Sequence, residues 1–162
     1  MTIRIGDTAP RFELLGAEWR GEAPPTFRLD EALARGGVVL HFFPAPFTST
    51  CEAQMCAVRD GIAAYDGVTA WGVTSHHPIL IAKWQEDHGF GVPILADVDG
   101  SVSRAYAGVY GEEIWPGLRR TSRRAVIGIG RDGTVGALWV GATPGDAPTP
   151  EAIAHAIAVA RA

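Results

Sequence analysis

Cysteine is scarce in this sequence, and its scarcity excludes two common kinds of small protein. Only two of the 162 residues are cysteines, Cys51 and Cys56. A secreted domain held together by disulfides needs a denser set. A structural zinc site needs a second pair of Cys or His ligands, and none accompanies this C-x4-C pair. We therefore expect neither a disulfide framework nor a metal, and two thiols this close together indicate redox chemistry in a reducing compartment.

An excess of charge of one sign and long apolar runs are missing as well. The formal net charge is −4 at pH 7, which argues against a nucleic-acid surface. The longest apolar run, residues 38–43, is too short to cross a bilayer. The first residues also lack the apolar segment of a secretory signal. We expect a cytoplasmic protein with neither nucleic acid nor membrane as a partner.

The order of the predicted elements favours one α/β domain over residues 1–162. A chain of this length buries about 70% of its unfolded surface, enough for a core. His41, Trp71 and Trp84 are predicted core residues. Parallel strands joined by helices come first along the chain and an antiparallel hairpin comes last. This order predicts a central mixed β-sheet flanked by helices. Strands are predicted over 11–15, 26–29, 38–43, 68–74, 93–95, 124–129 and 134–140, helices over 31–34, 49–65, 78–88, 102–106 and from Pro150, and a loop over 21–25.

The most informative segment is residues 42–56, where a buried strand leads into a helix. Ser49 and Glu52 match a capping box, which places Cys51 in the first turn of that helix. Backbone N–H groups and the positive end of the helix dipole favour a thiolate there. The carboxyl end of a central strand is also where such sheets place their sites. The alternative is that Cys51 is an inert, buried cysteine.

Nucleophilic chemistry at Cys51 would need more than an acidic thiol. Acidification raises the thiolate fraction at pH 7 about 30-fold but lowers its nucleophilicity about tenfold. Groups that stabilise the transition state must supply the remainder. The Thr48 hydroxyl, the Cys51 backbone N–H and an arginine are candidate donors, and Pro44 can form a wall without a competing N–H. This set suits attack of a thiolate on a peroxide.

Cys56 follows Cys51 by five positions on the predicted helix. In an ideal helix the two Cα atoms would lie about 8.7 Å apart, whereas a disulfide requires less than about 7 Å. The two cysteines therefore cannot bridge while the helix is intact, and any bridge requires its first turns to unwind. The alternative is that Cys56 is a packed core residue.

Several motifs together resemble the peroxiredoxin family. The pattern Pro44-x-x-x-Thr48-x-x-Cys51 is similar to the active-site motif of that family. The segments 6–14 and 105–109 resemble other family segments, so the likeness covers nearly the whole chain. Arg124 stands where the family has an active-site arginine. Arg123 is its neighbour, so the strand register decides which of the two faces the site, and we favour Arg124.

The resemblance implies a thioredoxin-like fold and the reduction of hydrogen peroxide and organic hydroperoxides. It implies that Cys51 becomes a sulfenic acid. It also implies that Cys56 resolves this acid as an intramolecular disulfide, as in the bacterioferritin-comigratory (Q-type) subgroup. Thioredoxin or a similar dithiol would then reduce the disulfide. No cofactor or metal is expected because sulfur carries both electrons, and the protein would be a monomer or homodimer.

Some departures and alternatives remain open. Gln54 stands where the family commonly has Glu, although an amide can still bind Arg124. Gly128 and Gly130 weaken the prediction of the strand after that arginine. The chain also resembles the alkyl hydroperoxide reductase E group, whose members commonly lack the second cysteine. A one-cysteine peroxidase with an external thiol and a redox-sensing or holdase module are the alternatives. A disulfide reductase is disfavoured because it would use C-x-x-C.

Overall fold

A computed structural model describes residues 2–17, 23–117 and 119–162. The loop expected over 21–25 begins outside these residues. No helix in the described ranges is both long enough and apolar enough to span a membrane. In chain order the elements are β1 (Glu13–Gly16), β2 (Thr26–Arg28), α1 (Leu29–Arg35), β3 (Val38–Phe42), α2 (Ser49–Asp60), a 3₁₀ turn (Ile62–Tyr65), β4 (Thr69–Thr74), α3 (Pro78–His88), β5 (Ile94–Ala96), α4 (Ser101–Tyr106), β6 (Ala125–Ile129), β7 (Val135–Val140) and α5 (Pro150–Arg161).

The strands form one mixed sheet, as predicted. Their order across the sheet is β2-β1-β5-β4-β3-β6-β7. The three central strands β3, β4 and β5 are parallel. The hairpin strands β6 and β7 are antiparallel on one side, and β1 and β2 are antiparallel on the other. The α/β class and the central mixed sheet flanked by helices are confirmed.

Strand β3 lies at the centre of the core and is buried along its whole length. Val39 contributes to an apolar layer shared with α2, α3 and α5. Leu40 contributes to a second layer, on the other face of the sheet, shared with α1 and α4. His41, Trp71 and Trp84 are buried, as expected for core residues.

Helix α2 differs from its prediction at both ends. Ser49 is its first helical residue and Thr48 is the N-cap, without a side-chain cap hydrogen bond. The predicted capping box is therefore wrong. The Thr48 hydroxyl instead donates to the Ala45 carbonyl oxygen at 2.8 Å. The helix ends at Asp60 rather than at residue 65 because Gly61, a poor helix former, follows it, and a 3₁₀ turn continues the chain.

Gly128 allows α5 to lie directly on β6. A Cβ atom at this position would come within 2.6 Å of the Ala156 carbonyl oxygen on α5. The register of the β6–β7 pair also shifts between Gly128 and Ile129. The glycine therefore permits close packing of α5, and the pairing of β6 with β3 continues without a shift through Ile129, whereas the pairing with β7 is irregular at Gly128.

Candidate active site

The connection between β3 and α2 buries Cys51 at the start of the helix. Phe47 has a φ of 61°, which is rare for an aromatic residue and marks a sharp turn. Pro44 is buried in the same connection. Cys51 is the third residue of α2 and only 1% exposed. Its thiol thus lies in the first helical turn, where unpaired N–H groups favour negative charge.

Arg124 reaches Cys51 because β6 runs antiparallel to β3. Ala125 pairs with Phe42, the last residue of β3, so the residue just before β6 lies beside the start of the β3–α2 connection. The Arg124 Nη2 atom is 3.5 Å from the Cys51 Sγ atom. A guanidinium at this distance stabilises a thiolate. The geometry therefore makes Cys51 a candidate nucleophile with an adjacent cation.

Arg123 points away from Cys51. Its guanidinium lies over the Tyr110 ring, 5.9 Å from the ring centroid. Its Nη2 atom donates to the Gly141 carbonyl oxygen at 2.7 Å. The register left open by the sequence therefore places Arg124, and not its neighbour, against the thiol.

Neutral oxygen atoms hold the Arg124 guanidinium in place. Its Nη1 atom donates to Gln54 Oε1 at 2.7 Å, as the sequence allowed, and its Nη2 atom donates to the Pro144 carbonyl oxygen at 2.9 Å. The Gln54 amide in turn donates to the Phe42 carbonyl oxygen at 3.4 Å. The Arg124 Nε atom is buried and has no partner among the described residues. These bonds fix the orientation of the guanidinium beside the thiol.

The Thr48 hydroxyl is bound within the connection that precedes α2. Within the described ranges no hydrogen bond joins its hydroxyl to Cys51, since that hydroxyl is directed at Ala45. The residue is exposed, whereas Pro44 is buried. The structure therefore brings Arg124 to the thiol and Gln54 to Arg124, whereas the Thr48 hydroxyl is directed to the Ala45 carbonyl oxygen.

Cys56 lies on the same unbroken helix as Cys51. Both cysteines are free, and Cys56 is half-buried against the edge of the core. Because α2 is helical from Ser49 to Asp60, the two Cα atoms keep the helical separation of about 8.7 Å. The wound helix therefore separates the two thiols.

Two contacts to Arg124 could not be predicted from residue type. The Pro144 contact is made by a backbone carbonyl 20 positions away, so no side chain signals it. The Tyr110 hydroxyl lies 3.5 Å from the Arg124 backbone N–H, and burial raises the pKa of that hydroxyl. Its proximity depends on the path of the loop before β6, for which spacing offers no signal.

Metal ligands do not cluster in the described part of the chain. There, no group of three or more His, Cys, Asp or Glu side chains is arranged to hold a metal ion.

Comparisons with known proteins identify a family. Residues 5–138 match the AhpC/TSA family. Alkyl hydroperoxide reductase E of Mycobacterium bovis is 30% identical over 115 residues, covering 68% of this chain and 71% of that protein. A relative from Mycobacterium tuberculosis is 30% identical over 110 residues, which span 67% of this chain but just under two thirds, 66%, of the relative.

Solved structures match over nearly the whole chain. The crystal structure of peroxidoxin BcpB from Mycobacterium tuberculosis superposes with a TM-score of 0.80 at 27% identity, covering 97% of this chain and 98% of that one. A peroxiredoxin-like protein from Aquifex aeolicus gives a TM-score of 0.82 at 18% identity, over 98% of this chain and 88% of that one. At that identity the second match supports the fold alone.

Proposed function

Because this chain belongs to the AhpC/TSA family of peroxiredoxins and has their thioredoxin-like fold, we propose that it is a thiol-dependent peroxidase whose nucleophile is Cys51. One observation carries the proposal: the Arg124 guanidinium lies 3.5 Å from the buried Cys51 sulfur at a helix N-terminus. The substrates are hydrogen peroxide and organic hydroperoxides.

In the first step the Cys51 thiolate attacks one oxygen of the peroxide. A sulfur–oxygen bond forms while the oxygen–oxygen bond breaks. The second oxygen leaves as hydroxide or alkoxide and takes up a proton, so the peroxide is reduced and Cys51 is oxidised to a sulfenic acid. Negative charge moves from sulfur to the leaving oxygen, and donors fixed in advance stabilise such charge. Arg124 supplies these donors, and Pro44 helps to enclose the connection.

In the second step Cys56 resolves the sulfenic acid. Its thiolate attacks the Cys51 sulfur, a disulfide forms, and hydroxide leaves and is protonated to water. The two thiols together have then supplied the two electrons that reduce the peroxide. Since the wound helix holds the thiols too far apart for a disulfide, the first turns of α2 must open before this step. Thioredoxin or a similar dithiol reduces the disulfide.

A one-cysteine peroxidase is the second candidate. Cys56 is half-buried against the core in an unbroken helix, and this packing favours a purely structural role for it. An external thiol would then resolve the sulfenic acid at Cys51 in place of Cys56. The first step would be identical in the two candidates, because it does not involve Cys56.

Stoichiometric hydrogen peroxide distinguishes the candidates. We would treat the wild type and Cys56→Ser, then count free thiols and measure intact mass. Loss of both thiols and of two hydrogens in the wild type, with a sulfenic acid in Cys56→Ser, supports the two-cysteine cycle. Sulfenic acid in both proteins supports the one-cysteine enzyme. No rapid reaction in either would refute the peroxidase proposal.

A further inference from the structure

Two polar contacts join helix α2 to His88, the last residue of α3. The Glu52 Oε2 atom lies 3.4 Å from the His88 Nε2 atom. The Arg59 Nη1 atom donates to the His88 carbonyl oxygen at 2.9 Å. Glu52 stands between Cys51 and Cys56, whereas Arg59 follows both. The Glu52 contact therefore lies within the segment that separates the thiols, and the Arg59 contact lies beyond it, nearer the end of α2.

His88 is itself held in a rigid aromatic cluster. Its ring stacks on Phe90, with centroids 5.3 Å apart and planes 13° apart. It also meets the edge of Trp84 at 6.1 Å. Trp84 is fully buried and packs against Phe43, in the chain just before the site, at 5.3 Å. Since His88 is fixed to the core, its contact with Glu52 resists movement of the first turns of α2.

We propose that Glu52 and His88 form a latch that keeps the first turns of α2 wound and so sets how often Cys56 reaches Cys51. The latch, defined as the contact between these two side chains, rests on the proposed two-cysteine cycle. Glu52 must leave His88 when residues 49–56 unwind. Arg59 retains its bond to the His88 carbonyl, which confines unwinding to the first turns. Both latch residues are positioning residues, because neither contacts the reacting sulfur.

The latch governs a competition at the sulfenic acid. Formation of the disulfide needs the unwound helix. If the helix stays wound beside Arg124, the Cys51 sulfenate can attack a second peroxide, which is reduced to water or an alcohol while sulfur gains an oxygen as sulfinic acid. The latch side chains are 43% and 24% exposed. Loss of such a partly exposed pair changes the equilibrium between wound and unwound α2 by up to about fivefold.

The test uses Glu52→Gln, His88→Phe and the double variant, each made in the full chain. Phe at position 88 keeps an aromatic ring against Phe90 and Trp84 but removes the nitrogen atoms. The matched control is Asp87→Asn, which breaks the exposed Lys83–Asp87 pair on the same turn of α3 without touching α2. After rapid mixing with peroxide and alkylation, intact mass gives the rate of disulfide formation and the ratio of disulfide to sulfinic acid.

We expect both single variants to form the disulfide about two- to fivefold faster, with a matching fall in sulfinic acid. Amide hydrogen exchange over residues 49–56 of the reduced proteins should accelerate by the same factor. The double variant should exceed either single variant by less than the product of their effects, because both act through one contact. Asp87→Asn should match the wild type.

Two results overturn the latch alone. One is that the wild type forms the disulfide, but both single variants form it at the wild-type rate and exchange the amide hydrogens of residues 49–56 at the wild-type rate. The other is a double variant whose effect equals the product of the single effects, since two independent changes would then explain it. A wild type that forms no disulfide refutes the two-cysteine cycle itself, and the role of the latch in resolution fails with it.

Discussion

Arg124 is a buried cation without a carboxylate partner in the described part of the chain. It is 1% exposed, and its guanidinium donates to the neutral oxygens of Gln54 and Pro144. A buried charge is costly unless it is paired. The Cys51 sulfur lies 3.5 Å from this guanidinium, while the Asp146 carboxylate, beyond ion-pair distance, also interacts with its charge. Because Gln54 is neutral, its contact with Arg124 does not offset the charge of the guanidinium beside the thiol.

Replacement of Arg124 tests its role as the donor. We expect Arg124→Gln to lower the second-order rate constant with hydrogen peroxide by about 100-fold, the usual cost of losing one preorganised donor to a developing anion. Arg124→Lys should lose less, because it keeps the charge but not the planar fork. Stopped-flow measurement of thiol oxidation in the Cys56→Ser background isolates the first step.

The neighbouring arginine is the matched control. Arg123→Gln removes the same type of side chain one position earlier, where it contacts Tyr110 and Gly141. We expect it to change the first-step rate constant little. If both substitutions slowed oxidation equally while the far-ultraviolet circular dichroism stayed native, the assignment of Arg124 as donor would be wrong.

At the scale of elements, α2 has two incompatible tasks in the proposed cycle. When α2 is wound, it holds Cys51 against Arg124 and keeps the Cys56 thiol away from Cys51. Unwound, it would let the thiols join but would withdraw Cys51 from its donor. Its buried face, which includes Met55 and Val58, must be partly exposed in the second state. The oxidised and reduced proteins should therefore differ locally and share the rest of the fold.

Oxidation should therefore melt the start of α2. We expect the disulfide form to lose amide protection over residues 49–56 and a small part of its helical circular dichroism, while β3 and α5 stay protected. Hydrogen exchange with mass spectrometry measures both. Cys56→Ser treated with the same peroxide should keep α2 protected, because it forms no bridge. A disulfide form with fully protected α2 amides would contradict the helical geometry.

Local signals predicted the elements better than their contacts. Helix α3 runs from Pro78 to His88 as expected, and Thr149 caps α5 by accepting from the Ala152 N–H at 3.2 Å. These ends follow from prolines and a capping hydroxyl, which act on adjacent residues. Helix α2 ends at Asp60, before the predicted residue 65, because Gly61 disfavours continuation of the helix.

Contacts between distant parts of the chain lie beyond such signals. Glu52 meets His88 across two helices, and Pro144 meets Arg124 through a backbone atom. Neither residue type nor spacing encodes these pairs. The approach of Arg124 to Cys51 was predicted from a family likeness, and its physical reason is the antiparallel register of β6 on β3, which only the folded sheet defines.

At the scale of the whole molecule, β3 connects the candidate site to the stability of the core. It separates the two apolar layers and leads directly to the connection before Cys51. Its fourth residue is His41, whose Nε2 atom lies 2.9 Å from the Tyr65 hydroxyl. Burial lowers the pKa of His41 from 6.5 to about 4, so this histidine is neutral in the folded protein above that range.

Acid should therefore destabilise the fold through His41. The unfolded chain binds a proton on this residue near pH 6.5 and the folded chain only near pH 4, so the free energy of unfolding falls as the pH falls between these values. The shift corresponds to about 3 kcal/mol, fully present above pH 6.5. Urea unfolding at several pH values measures it. In the double variant His41→Leu with Tyr65→Phe, the number of protons taken up on unfolding should fall by up to one, so the free energy of unfolding should depend less on pH. Tyr65→Phe alone keeps the histidine and should keep the wild-type pH dependence. Equal pH dependence in the wild type and the double variant would assign the acid sensitivity to other groups.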